Sequence, residues 1–153
     1  MSYDFEVYEI ASPEPCVCGR PRRRANLDFG DPTYNISEIF SRAAGGALRD
    51  LVDHKPIPEV LAVFERMQAA FALADTDPIE LAEYKKLEPK NGWGSFNGAR
   101  RKVREVISGL RMIVESGGLE VEEFSRLHED YPGDDGSPGT TRFVPTEKLR
   151  WSI

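Results

Sequence analysis

Asn91-Gly92-Trp93-Gly94-Ser95-Phe96-Asn97-Gly98-Ala99 is the stretch on which the reading of this chain turns. Asn-Gly favours a turn with positive φ, and Gly94 leaves room for the chain to pass close to whatever Trp93 packs on. Trp93 is therefore read as the anchor of the turn, and Ser95 as the N-cap of a helix. Beyond it Phe96, Ala99, Val103, Ile107, Leu110 and Val114 recur at three- and four-residue intervals, with Val106 and Ile113 widening the stripe. That spacing predicts one long amphipathic helix from about Phe96 to Ser116, ended by Gly117-Gly118. Asn97 and Gly98 carry little bulk, so the free amides of the first turn are open to a phosphate or carboxylate; the plainer reading is a turn and a capped helix.

The remaining elements are expected to shelter that helix. A chain of 153 residues is one domain by length and buries a core without staples. Tyr3, Phe5 and Val7 alternate with Asp4 and Glu6, which predicts a first strand over Tyr3 to Ile10. Arg20-Pro21-Arg22-Arg23-Arg24 is too rich in like charge for regular structure and reads as an exposed loop. Asn35, with Glu38 three residues on, starts a helix over about Ile36 to Ala44. Gly45-Gly46 interrupts it, Ala47 to Val52 makes another turn or two, and Pro58 opens a core helix running to about Ala74 with Val60, Leu61, Phe64, Met67, Phe71 and Ala74 on one face. Asp77-Pro78-Ile79-Glu80 opens a short helix to about Leu87. Leu119, Val121 and Leu127 predict a second strand, expected to pair with the first. Trp151 near the end suggests docking. The fold class is thus α+β and mostly helical, with about four helices on a two- or three-stranded antiparallel sheet. Residues 1–128 are expected to form one compact domain, and 129–153 an extended segment docking on it or on a neighbour.

Composition removes several classes of function. Hydrophobic content of 40% against 30% charged describes a soluble protein, and the most apolar run, Val60 to Ala74, is broken by Glu65, Arg66 and Gln68. The N-terminus carries acids where a signal peptide needs positive charge, so a cytoplasmic protein is expected. A net charge of -6 argues against general coating of nucleic acid, whose affinity rests on neutralised phosphates.

Thr33-Tyr34-Asn35 before the first helix, and Leu87-Glu88-Pro89-Lys90-Asn91-Gly92-Trp93-Gly94 before the last, resemble a pattern in small proteins of actinobacteria and their phages. The likeness covers about Cys16 to Val121. It joins a Thr-Tyr-Asn or Thr-His-Asn element to an Asn-Gly-Trp-Gly turn through helices of similar length. Tyr34 stands where some members carry histidine, which weakens a metal argument there. The resemblance implies a phage or actinobacterial origin, the host cytoplasm if phage-encoded, and a compact helical domain; it implies no activity.

Cys16 and Cys18 are the candidate metal ligands, since thiolates bind zinc, but a structural site wants four ligands and His54 and His128 are the only histidines. The alternative is reduced thiols in a loop. Arg20, Arg22, Arg23 and Arg24, with Arg100, Arg101, Lys102 and Arg104, place eight of the 20 Lys and Arg residues in two short windows. Converging near Ser95 they would make an anion site; the alternative is neutralisation by Glu120, Glu122, Glu123, Glu129, Asp130, Asp134 and Asp135. Asp28, Asp31 and Asn35 beside Tyr34 read as turn and capping residues. No Gly-rich phosphate loop, His-Glu-x-x-His helix or Gly-x-Ser-x-Gly elbow occurs. The expected function is therefore non-catalytic: an accessory or interaction protein binding a host protein or itself, through Tyr34, Asn35, Trp93, Ser95, Asn97, Arg100 and Arg101. The alternative expectation is a small phosphorylated ligand or nucleotide at the same helix N-terminus.

Overall fold

A computed structural model describes residues 4–12, 22–30, 36–124 and 138–153. Its frame is a pair of long antiparallel helices, α3 (Ile57–Thr76) and α5 (Phe96–Ser116), joined through the short α4 (Pro78–Lys86). The antiparallel sense shows in two ion pairs, Arg100 to Asp75 and Arg111 to Glu65, which ascend α5 while descending α3. The helix predicted from the Ser95 cap is unbroken. It buries Phe96, Ala99, Val103, Val106, Ile107, Leu110 and Ile113, and each large side chain so covered contributes about 1.5–3 kcal/mol relative to exposure. Val114 departs from the expected stripe and is 38% exposed. The last turn ends at Gly117 in the left-handed conformation, and only the widened Ile113 edge still faces the core there.

Before this pair come α1 (Ser37–Ala44) and α2 (Leu48–Val52), separated by Gly45 at φ 80°. α1 packs Ile39, Phe40, Ala43 and Ala44 inward. Arg42, on its outer side, forks onto Glu80 of α4 at 2.9 and 3.0 Å and lies over the Tyr84 ring. In α3 the expected Leu61 is only partly buried, and Val63 joins the face instead.

The fold is mostly helical α+β, with two small antiparallel sheets among the described residues. In one, β1 (Glu6–Ser12) lies between β2 (Arg22–Asp28) and β5 (Leu149–Ser152); in the other, β3 (Gly118–Phe124) pairs with β4 (Pro138–Pro145). Two expectations are corrected. Arg22, Arg23 and Arg24 are strand, not loop: they stand opposite Ser12, Ile10 and Glu9 of β1. The ladder to β1 supplies the order that composition does not. The second strand pairs with β4 rather than β1, Leu119 opposite Val144, because β1 already has β2 and β5 on its two sides.

The C-terminal residues 138–153 are woven into both sheets, and Trp151 is fully buried. Its ring meets Phe5 at 5.3 Å, Phe64 at 5.4 Å and Phe29 at 5.5 Å. Gly109 of α5 makes room for this cluster, since a Cβ there would come within 2.5 Å of the Phe29 ring. That contact explains a glycine in a helix interior, where it costs about 1 kcal/mol against alanine.

Candidate functional site: the mouth of the long helix

α4 is capped by Asp77, whose carboxylate accepts the Ile79 and Glu80 amides. It delivers Tyr84 to the core, and burial pushes that phenol above its ordinary range. The chain then turns through Asn91 to Ser95. The Gly92 amide donates to the Pro89 carbonyl at 3.2 Å, and the Trp93 amide to Asn91 Oδ1 at 3.0 Å. Gly92 and Gly94 hold φ at 76° and 137°, values that favour glycine. The turn is therefore fixed by backbone and by the Asn91 carboxamide.

Two polar groups close the helix mouth. Ser95 Oγ accepts the Gly98 amide at 3.0 Å, and Glu88 Oε1 accepts the Phe96 amide at 2.9 Å. A carboxylate from the same chain thus already occupies the positive end of α5. Below the mouth, the Phe96 ring stacks on Tyr84 at 5.0 Å and meets Phe71 edge-on at 5.3 Å. Above Phe96 lies the Arg100 guanidinium, 5.4 Å from the ring centroid and forked onto Asp75 at 2.9 and 2.5 Å.

Of the residues singled out from the sequence, Trp93, Asn97 and Arg101 are exposed and share this end of α5. Ser95 and Arg100 are used internally, as cap and as ion pair. Trp93 is 69% exposed, and the large ring buried at this end of the helix is Phe96. Tyr34 and Asn35 lie outside the described residues, as do Asp31, Cys16, Cys18, Arg20 and His128. Asp28 accepts the Gly30 amide at 2.6 Å, the turn role expected of it. Among the described residues, the acids that meet the cations of α5 are Asp75 and Glu65 of α3 and Glu105 of α5 itself; Glu129, Asp130, Asp134 and Asp135 of the later acidic segment lie outside the described residues. Lys102 also donates to the Phe29 carbonyl at 2.6 Å, tying α5 to the end of β2.

Two polar clusters went unnoticed in the sequence. Glu9 is 4% exposed, and its carboxylate takes both terminal nitrogens of Arg142, at 2.8 and 2.5 Å. The signal was present: Glu9 continues the alternation of Phe5 and Val7, which places an acid on the core-facing side of β1. The second cluster joins Tyr8, His54 and Asp53. Tyr8 Oη lies 2.9 Å from His54 Nδ1, and His54 Nε2 lies 3.3 Å from Asp53 Oδ2. His54 holds φ at 58°, its amide donates to the Trp151 carbonyl at 2.7 Å, and Asp53 Oδ1 accepts the Ile153 amide at 3.2 Å. Both ring nitrogens are engaged and Tyr8 is buried, so the geometry is a clasp on the C-terminal strand rather than an open acid–base pair. Among the described residues no group of His, Cys, Asp and Glu is placed to hold a metal ion, and no helix is long and apolar enough to cross a membrane.

Comparison with protein-family models, with curated proteins and with solved structures finds no match to this chain.

Proposed function

We propose that this chain is a non-enzymatic interaction protein, of the phage or actinobacterial accessory kind its Asn91–Gly94 motif resembles, and that it grips a partner protein at the mouth of α5. The observation that carries this is the exposure of Trp93 on a turn held rigid by Asn91, Gly92 and Gly94. An indole presented on a fixed backbone loses little freedom when a partner covers it, and tryptophan and arginine are the residue types that dominate binding energies at protein interfaces. Exposed Asn97 and Arg101, one turn apart on the first turns of α5, would supply a polar rim. Glu88 on the Phe96 amide favours this reading over capture of a phosphorylated ligand, because an approaching phosphate would meet a carboxylate first.

The test is capture of a partner from a lysate of the native host by the parent, by Trp93→Ala and by Arg101→Glu. Each variant is expected to lose most of the captured protein while its stability changes by less than about 0.5 kcal/mol. Undiminished capture by both variants would overturn the reading. Arg100 is unsuited to the test, since its guanidinium is held by Asp75 and Phe96 and its loss would disturb the helix pair.

A further inference from the structure

Charge is laid out unevenly along this chain. Its net is -6, yet from Glu83 to Glu105 seven Lys and Arg residues stand against three carboxylates, a local excess of four positive charges; outside that window acids exceed bases by ten. The acids placed at this end of the helix pair already have partners. Glu83 meets Lys86, Glu105 meets Lys102, Asp75 of α3 meets Arg100, and Glu88 takes the Phe96 amide. Lys85, Lys90, Arg101 and Arg104 are exposed and meet no carboxylate among the described residues. Arg101 and Arg104 stand one turn apart on the outer face of α5, on a stripe with exposed Asn97 and Ser108. The end of α4 and the turn after it bring Lys85 and Lys90 to the same end of the molecule, because Tyr84 stacks on Phe96 and Glu88 holds its amide.

Like charges at helical spacing repel, and cations toward the N-terminal end of a helix oppose its dipole. Neither arginine is buried, so packing does not offset the repulsion. Carboxylates supplied from outside would relieve it. We infer, resting on the interaction reading above, that the partner gripped at this end is an acidic stretch of protein, whose carboxylates fork onto Arg101 and Arg104 while Lys85 and Lys90 extend the positive surface. The planar guanidinium matches a carboxylate with two parallel hydrogen bonds, which makes arginine the suited residue type. These carboxylates bind a turn or more along α5 from the amide that Glu88 holds, so Glu88 does not exclude them. Nucleic acid fits less well. It is held by neutralising many phosphates, and the acidic remainder of this chain repels a long polyanion.

Fluorescence anisotropy with a fluorescein-labelled glutamate–leucine peptide tests the charge, and the same peptide with glutamine in place of glutamate is its control. The parent should bind the glutamate peptide at least about tenfold more tightly than the glutamine peptide, with an affinity that falls as salt is raised. Lys90→Glu combined with Arg104→Glu should weaken binding at least about tenfold. Arg66→Glu combined with Lys148→Glu makes the same change of net charge at exposed positions of α3 and just before β5, and should leave binding within about twofold. All four side chains are exposed, so circular dichroism should show the parental helix content in both variants. Should the Lys90 and Arg104 variant lose its fold, Lys85→Gln combined with Arg101→Gln takes its place. Equal affinity for the two peptides, or equal weakening by the two double variants, would overturn the inference. A single-stranded DNA oligonucleotide that binds the parent more tightly than the glutamate peptide would overturn it in favour of nucleic acid. The two readings of this end fail separately. Capture from a host lysate that is lost with Trp93→Ala but kept by the Lys90 and Arg104 variant would overturn the acidic partner and leave the interaction reading standing. Peptide binding that needs Lys90 and Arg104 but is unchanged by Trp93→Ala would support the acidic partner and remove the indole from the grip.

Discussion

Trp93 and Trp151 are the two indoles of the chain, one in an Asn-Gly-Trp-Gly turn and the other in the alternating strand Leu149–Ser152; one is 69% exposed and the other fully buried. Around Trp151 the chain converges from four directions: Phe5 and Phe29 flank β1 and β2, Phe64 comes from α3, and backbone bonds from residues 54 and 55 close the strand edge. At Trp93 the backbone is held by hydrogen bonds within a few residues, the Trp93 amide donating to Asn91 Oδ1 and the Gly92 amide to the Pro89 carbonyl. An aromatic ring is buried when long-range elements meet at it. A turn whose backbone is locally satisfied can hold its shape with the ring exposed, where a partner can reach it.

The largest test of this contrast removes each indole. Trp151→Ala should cost about 3–5 kcal/mol in urea denaturation, since the cavity is walled by three phenylalanines and cannot collapse readily. Trp93→Ala should cost less than about 0.5 kcal/mol. In the single-tryptophan proteins, acrylamide should quench Trp93 strongly and Trp151 scarcely at all while folded. Comparable losses from the two substitutions would abolish the distinction.

A smaller effect probes how the mouth of α5 is held. Ser95→Ala leaves the Gly98 amide without its cap and should cost about 1 kcal/mol by thermal denaturation. A loss near zero would mean that Glu88 on the Phe96 amide holds the mouth by itself.

The smallest effect belongs to the β1–β2 edge. The folded Glu6 carboxyl titrates above its ordinary value, for burial and then for Asp28 and Asp4. Between the ordinary value of 4.5 and that raised one, the folded state binds the proton more tightly than the unfolded chain. Stability contributed by Glu6 is therefore present at low pH and falls as pH rises through that window. Glu6→Gln should flatten this slope and stabilise the protein above it by less than about 1 kcal/mol. Stability profiles measured on dilute protein should superimpose below the window; a parallel offset at every pH would contradict the linkage.

The helices could be read from the chain because their signals are local. Ser95 with the Phe96–Ile113 stripe, and Asp77-Pro78, stand within one or two turns of what they specify, and the structure uses them as such. The expected sheet partners were wrong for the opposite reason. Arg22–Asp28 has no alternating apolar signal of its own, and a strand order is a choice among distant partners that one segment cannot express. At the candidate site, exposure of Asn97 and Arg101 follows from helix periodicity. The withdrawal of Arg100 depends on Asp75, twenty-five residues away, and the clasp of Tyr8 on His54 on an even longer separation.

Local spacing and capping chemistry alone determined that this chain carries long amphipathic helices, where α5 begins and ends, and which of its residues form the buried stripe, Val114 excepted. The tertiary structure alone decided which indole is buried, which arginines of α5 are paired, and which strands flank β1. Those outcomes depend on where separate elements meet, and the free energy of burial or ion pairing belongs to the meeting rather than to either segment.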